Sequence, residues 1–196
     1  FAYQEISAHP VRGDSQLSYW NHSYYDDYYG HDVLTFNVNG SHLNSYWSQH
    51  MSYMVYNWNN YSNNYVSMTF TDFYNSNLDY FNPTLWPSGL PNDVYAACYC
   101  VDANNVYLHG YGTDIFNSNC STYITYAQII CNAAYNGATS MNIRKTLVHE
   151  AGHAMQFGHE SYPTESVLRP GHENDLEWYP YDIPKAHDRT ELSQRY

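Results

Sequence analysis

A chain of 196 residues suits one domain, or one domain whose two lobes flank a cleft. Hydrophobic residues make up 43% and aromatics 18%, the latter carried by 24 Tyr, which excludes a disordered tail. The formal net charge is −12, and between Gly13 and Asn142 histidine is the only basic side chain. Nucleic acid and anionic membrane surfaces need clustered Lys or Arg, so both are disfavoured as partners. A cationic peptide or a divalent cation is the easier partner, set against the plainer role of a solvated acidic surface.

Residues 1–30 show no clean period, and the triplet Arg12-Gly13-Asp14 lies among them. From Val33, Leu34, Phe36 and Val38 alternate, which predicts a strand closed by Asn39-Gly40. Leu43 to Asn59 reads as a helix, with Trp47, Met51, Met54, Val55 and Trp58 in one apolar stripe. Val66, Met68 and Phe70 alternate again, and Leu78 to Phe81 reads as a short strand. Pro83, Pro87, Gly89 and Pro91 make 82–93 a loop. Tyr95 to Leu108 has the pattern of a hairpin about Asp102-Ala103-Asn104-Asn105, broken by Gly110 and Gly112. Strand character resumes from Tyr123 to Cys131. Thr139 or Ser140 can cap a helix running to about Phe157, with Ile143, Leu147, Val148, Ala151, Ala154 and Met155 inward. After Gly158 the chain is irregular through Pro184; then Asp188-Arg189-Thr190-Glu191 has capping-box form and starts a terminal helix with Leu192 inward.

Cys98, Cys100, Cys120 and Cys131 permit two disulfides. Cys98 and Cys100 share one face of a strand, so each is expected to bridge to Cys120 or Cys131, in either order. Four buried thiols are the alternative. A Tyr- and Asn-rich surface suggests a secreted chain, a start at Phe1 rather than Met suggests a mature product or an excised piece, and no apolar run approaches the ~20 residues of a bilayer span. Asn21, Asn39, Asn60 and Asn119 lie in Asn-x-Ser sequons, which matter only in a eukaryotic secretory route.

The segment His149-Glu150-Ala151-Gly152-His153 carries the chemistry. Residues four apart stand on one helix face, so His149 and His153 can hold one metal ion together. Glu150, one step round, borders the site and can take a proton from a water activated there. On a straight helix His159 would lie roughly 15 Å along the axis from His149. To serve as a third ligand it needs the chain to turn back after His153, at Gly158 or Gln156. Three protein ligands leave a fourth position open, which is the mark of a catalytic zinc.

These residues resemble the signature of the metzincin metallopeptidases, His-Glu-x-x-His-x-x-Gly-x-x-His, with Gln156 where the family usually has Gly. Ser166-Val167-Leu168-Arg169-Pro170 is similar to the family's methionine turn, with Leu168 in place of Met. Pro170 resembles the matrixins rather than the members with a Tyr ligand, whereas Glu160 is the astacin-like choice. The specific match runs from about Arg144 to Pro170, and looser likeness to secreted bacterial matrixin-like proteases extends from Val33 onward.

The resemblance implies an α+β, metzincin-like fold: a twisted, mostly parallel sheet of about five strands, a backing helix, a catalytic helix and a short C-terminal helix. One catalytic domain would span 1–196, with an upper lobe to about 158 and a lower lobe from 159. It further implies a monomeric zinc endopeptidase acting on protein or peptide, with His149, His153 and His159 as ligands and Glu150 as general base. Substrate would extend along an edge strand, expected within Tyr123 to Ile130. Matrixin-like folds often also hold structural Ca2+; no loop here has a recognisable ligand spacing for it, and His109 and His172 read as solvated. Two other functions share these residues: a zinc peptidase trimming short peptides or termini, and a non-catalytic adhesion or toxin-like binding domain using Arg12-Gly13-Asp14 or the tyrosine-rich surface.

Overall fold

The computed structural model describes residues 23–88, 90, 92, 94–102, 107–109, 124–135, 139–155, 157, 165–168 and 181–196. Arg12-Gly13-Asp14, Cys120, Gln156, Gly158, His159, Glu160, Pro170 and His172 lie outside them. In chain order the strands are β1 (Ser23–Asp26), β2 (His31–His42), β3 (Val66–Phe70), β4 (Leu78–Phe81), β5 (Ala96–Asp102), β6 (Tyr107–His109) and β7 (Ile124–Cys131). The helices are α1 (Ser45–Ser48), α2 (Met51–Tyr61), α3 (Ser140–Ala154) and α4 (Ala186–Arg195).

The sheet is built on a five-strand core in which β3-β2, β2-β4 and β4-β7 pair parallel and β7-β5 pairs antiparallel. Short antiparallel strands extend it, β1 on β2 and β6 on β5. With its three longer helices, this is the α+β, mostly parallel architecture expected. Leu34, Phe36, Val38, Leu78, Tyr80 and Ile129 point to the helical side, where they pack with Trp47, Met54 and Trp58 and with Ile143, Leu147 and Val148 of α3. The other face carries a smaller cluster of Leu90, Ala97 and Ile130 with Phe81, Trp86 and Tyr99. Period-2 alternation thus divides each strand between two faces, as a half-buried sheet requires.

Several local expectations are corrected. The strand predicted to close at Asn39-Gly40 continues to His42, because pairing of Asn39 with Asp79 overrides the turn preference. Asn39 Nδ2 donates to Asp79 Oδ1 at 3.1 Å and the residue is buried, so this sequon is not available for glycosylation in the folded chain. The helix expected over Leu43 to Asn59 is two segments. His50 N–H bonds Trp47 O at 3.1 Å, a three-residue closure that tightens the backbone between them. The apolar stripe survives the break, since Trp47, Met51, Met54, Val55 and Trp58 are all buried. Asn63 and Asn64, both at positive φ, then end α2.

The hairpin predicted from Tyr95 to Leu108 is β5-β6. The substrate edge expected within Tyr123 to Ile130 is not an edge: β7 is paired on both sides, by β4 and by β5. The neighbour of β7 on that side is β5, with β6 outermost. Asn132 N–H donates to Tyr95 O, so Tyr95, Ala97 and Tyr99 turn their backbone groups to β7 while Ala96, Cys98 and Cys100 turn theirs outward. Strand β6 covers only the Cys100–Val101 end.

The expected disulfides to Cys131 are also corrected. Cys98, Cys100 and Cys131 are buried free thiols, with Cys98 Sγ 3.8 Å from Cys100 Sγ. Cys98 stands opposite Ile129, so Cys131 is a diagonal neighbour on the same face rather than its direct partner. Finally, Asp188 is the third residue of α4 rather than its cap. Lys185 holds the cap position, and its N–H donates to Asp188 Oδ2 at 2.7 Å. Leu192 is inward as predicted. Among the described residues no helix is long and apolar enough to cross a membrane.

Candidate metal centre

Helix α3 carries the centre and is gripped from three sides. Thr139 Oγ1 accepts from Asn142 N–H at 3.2 Å and caps its start. Trp58 Nε1, from α2, donates to Val148 O at 3.2 Å, and Tyr80 OH, from the sheet, donates to Leu147 O at 3.0 Å. These anchors sit on the turn immediately before His149, so they set both the depth and the rotation of the helix. From Lys145 to Ala154 every residue but His149 is buried.

Helix α3 ends at Ala154, not near Phe157 as predicted. Met155 N–H reaches back to Ala151 O and Gly152 O, and Phe157 N–H bonds Gly152 O at 3.2 Å. That last bond closes a turn wider than the helical one just past His153, while Gln156 and Gly158, where a reversal was expected, lie outside the described residues.

His149, Glu150 and His153 bring their ligand atoms within 4.8 Å of one another. His149 Nδ1 lies 2.8 Å from Val167 O, and His153 Nδ1 lies 2.7 Å from Phe157 O. A carbonyl only accepts, so both Nδ1 atoms carry the proton and both Nε2 atoms present lone pairs. Those two Nε2 atoms stand 3.0 Å apart with the rings nearly perpendicular, at 89°. Two acceptors so close repel each other until a proton or a cation lies between them. Two nitrogens on one tetrahedral zinc, each at about 2.0–2.1 Å, sit a little over 3 Å apart. The donor set fits a divalent metal with an affinity for imidazole.

Glu150 is buried, and its carboxyl is pushed up to about 8. Burial is the larger cause, and a hydrogen bond from the Cys98 backbone N–H acts in the opposite sense. Because Cys98 turns its N–H away from β7, that bond places the carboxylate beside the outer edge of β5. Cys98 and Cys131 flank it with thiols whose own ionisation is pushed up, chiefly by burial and also by the Glu150 charge.

The turn at Ser166, Val167 and Leu168 lies against the helix. Leu168 is fully buried and occupies the space that a side chain at Gly152 would need: a methyl there would sit 2.7 Å from Leu168 Cδ2 and 3.1 Å from Cδ1. Gly152 is thus the close-approach residue between the two histidines. Asp188, buried in α4, binds this turn through Ser166 Oγ and Val167 N–H. Its carboxyl is raised above the ordinary range by burial, against the opposing bonds from Lys185, Ser166 and Val167.

The structure brings together His149, Glu150, His153 and Leu168; His159, Pro170, Gln156 and Gly158 are not among the residues it describes. Asp188 and β5 were missed as parts of the centre, and Ser166 was read only as the start of the turn beneath it. The capping-box pattern did single out Asp188, but only for its own helix. Comparison with protein-family models and with curated proteins gives no match.

Proposed function

We infer that the chain is a secreted zinc-dependent endopeptidase of metzincin type, with Glu150 as general base. The observation that carries this reading is the pair of Nε2 lone pairs 3.0 Å apart, beside a buried carboxylate held by the Cys98 backbone N–H. The mostly parallel sheet, the wide turn that ends α3 just past His153, and Leu168 packed against Gly152 support it. His149, His153 and, by its place in the sequence, His159 would hold the metal. A zinc ion held there supplies a Lewis acid that activates water and polarises the scissile carbonyl.

Protein residues account for the remaining steps. An extended substrate would add to β5 beyond the part that β6 pairs, on the side where Ala96 turns its backbone groups away from β7. Glu150, made basic by burial, takes the proton of the attacking water and delivers it to the leaving amine. The low-charge, Tyr- and Asn-rich composition suits an extracellular site of action.

The test uses casein as substrate, with products mapped by mass. Internal cuts mark an endopeptidase, whereas release of terminal residues alone marks a trimming enzyme. Glu150→Gln is expected to keep zinc at parent stoichiometry and to lose turnover by at least about 100-fold, the lower range for removing a general base. Equal rates in parent and variant would remove Glu150 from the chemistry.

A further inference from the structure

The turn beneath α3 and helix α4 are joined by a chain of hydrogen bonds that ends on His149. Ser166 Oγ donates to Asp188 Oδ1, and the same oxygen accepts from Leu168 N–H at 2.9 Å. Leu168 N–H belongs to the peptide unit whose carbonyl is Val167 O. That carbonyl accepts from His149 Nδ1–H at 2.8 Å. The links are therefore carboxylate, hydroxyl, peptide and imidazole, each polarised in the same direction. Asp188 Oδ2 adds a second hold on the turn by accepting from Val167 N–H at 3.2 Å.

We propose that Asp188 and Ser166 are positioning residues that tune His149 as a metal ligand through the Val167–Leu168 peptide. The proposal rests on the zinc reading above. Negative charge on Asp188 draws the Ser166 proton toward it and makes Ser166 Oγ a better acceptor. A stronger bond at Leu168 N–H shifts electron density onto Val167 O, because the two share one amide. Val167 O then holds the Nδ1 proton more tightly, and His149 Nε2 becomes a stronger donor to a cation. Chains of hydrogen bonds polarise one another by perhaps 10–30% per link, and partners behind a metal ligand typically change metal affinity by about 10–100-fold. His153 is bonded instead to Phe157 O and lies outside this chain. The two imidazoles differ in this respect, and the difference supplies an internal control.

Ser166→Ala breaks the relay while keeping the Asp188–Val167 bond; Asp188→Asn removes the charge. Two readouts are taken on each. The first is the imidazole Nδ1–H resonances of His149 and His153 in zinc-free protein, by NMR. The second is the zinc dissociation constant, by competition with a chelator. In Ser166→Ala the His149 proton is expected to move upfield while the His153 proton stays, and the zinc dissociation constant to rise about 10-fold. Asp188→Asn is expected to do the same or more; should it not fold, Ser166→Ala decides. Equal movement of both imidazole protons would mean general loosening and overturn the proposal. So would a parent-like His149 proton, or a shifted proton with parent-like zinc affinity. Absence of zinc binding by the parent would instead sink the reading of the site, with the relay still judged by the proton shifts.

Discussion

Gly152→Ala tests how the turn and the helix hold the centre. The added methyl would lie 2.7, 3.1 and 3.4 Å from Cδ2, Cδ1 and Cγ of Leu168. Because both methyls and the branch carbon are within reach, rotating Leu168 about its last bond exchanges one clash for another. Either the Leu168 side chain repacks or the turn retreats, by roughly the 0.7 Å separating the closest contact from ordinary van der Waals distance. Overpacking of this kind costs about 1–3 kcal/mol, and Ala gains about 1 kcal/mol over Gly in a helix. The net loss is therefore about 0–2 kcal/mol, or several degrees in Tm at most for a chain of this size. Zinc affinity should suffer more than stability does. Val167 O travels with Leu168, so His149 loses its aim, and a drop of about 10-fold or more is expected. The assays are thermal unfolding and chelator competition on Gly152→Ala, Leu168→Ala and the double variant. The two sites touch, so their effects should not add: the double variant should be more stable than the summed singles by about 0.5–3 kcal/mol. Additive losses together with parent-like zinc affinity in Gly152→Ala would refute the reasoning.

Two further outcomes follow from buried polar groups. In zinc-free protein Glu150 has its pKa pushed from the ordinary 4.5 to about 8, so the folded state favours the protonated acid. The stabilisation is complete below about 4.5 and is lost as pH rises through 8, to a total on the order of 5 kcal/mol. Urea unfolding of parent and Glu150→Gln should therefore show the variant gaining on the parent from pH 5 to pH 9, and a constant difference would contradict the burial argument. Tyr80→Phe removes the hydroxyl that holds Leu147 O and should cost about 0.5–1.5 kcal/mol, seen as a Tm lower by a few degrees. A larger fall in zinc affinity than in stability would show that this anchor also sets the rotation of α3.

Local rules made much of the centre legible. Four-residue spacing put His149 and His153 on one face, and the need for a third ligand required a reversal after His153. The bond from Phe157 N–H to Gly152 O ends the helix just past that point, and Gln156, Gly158 and His159 lie outside the described residues. Alternating apolar residues marked Val66–Phe70, Leu78–Phe81 and the β5-β6 hairpin, since a half-buried strand imprints a period of two. Leu168 was placed under the site by its position in the motif, and it is fully buried there.

Other features depend on partners remote in the chain. Asn39-Gly40 has turn chemistry, yet pairing with Asp79, forty residues away, holds it in a strand. That β7 is no edge could not be read from its own pattern, because an edge is defined by which neighbour is missing, and β5 fills that place. Cysteine spacing permitted bridges to Cys131 that strand register leaves unmade. The identities and spacing of His149, Glu150 and His153 follow from the sequence alone, because a helix fixes its neighbours within one turn. The tautomers of His149 and His153, the basicity of Glu150 and the reach of Asp188 to the centre follow only from tertiary structure. Each is set by a carbonyl, a buried environment or a hydroxyl that the chain must fold to supply.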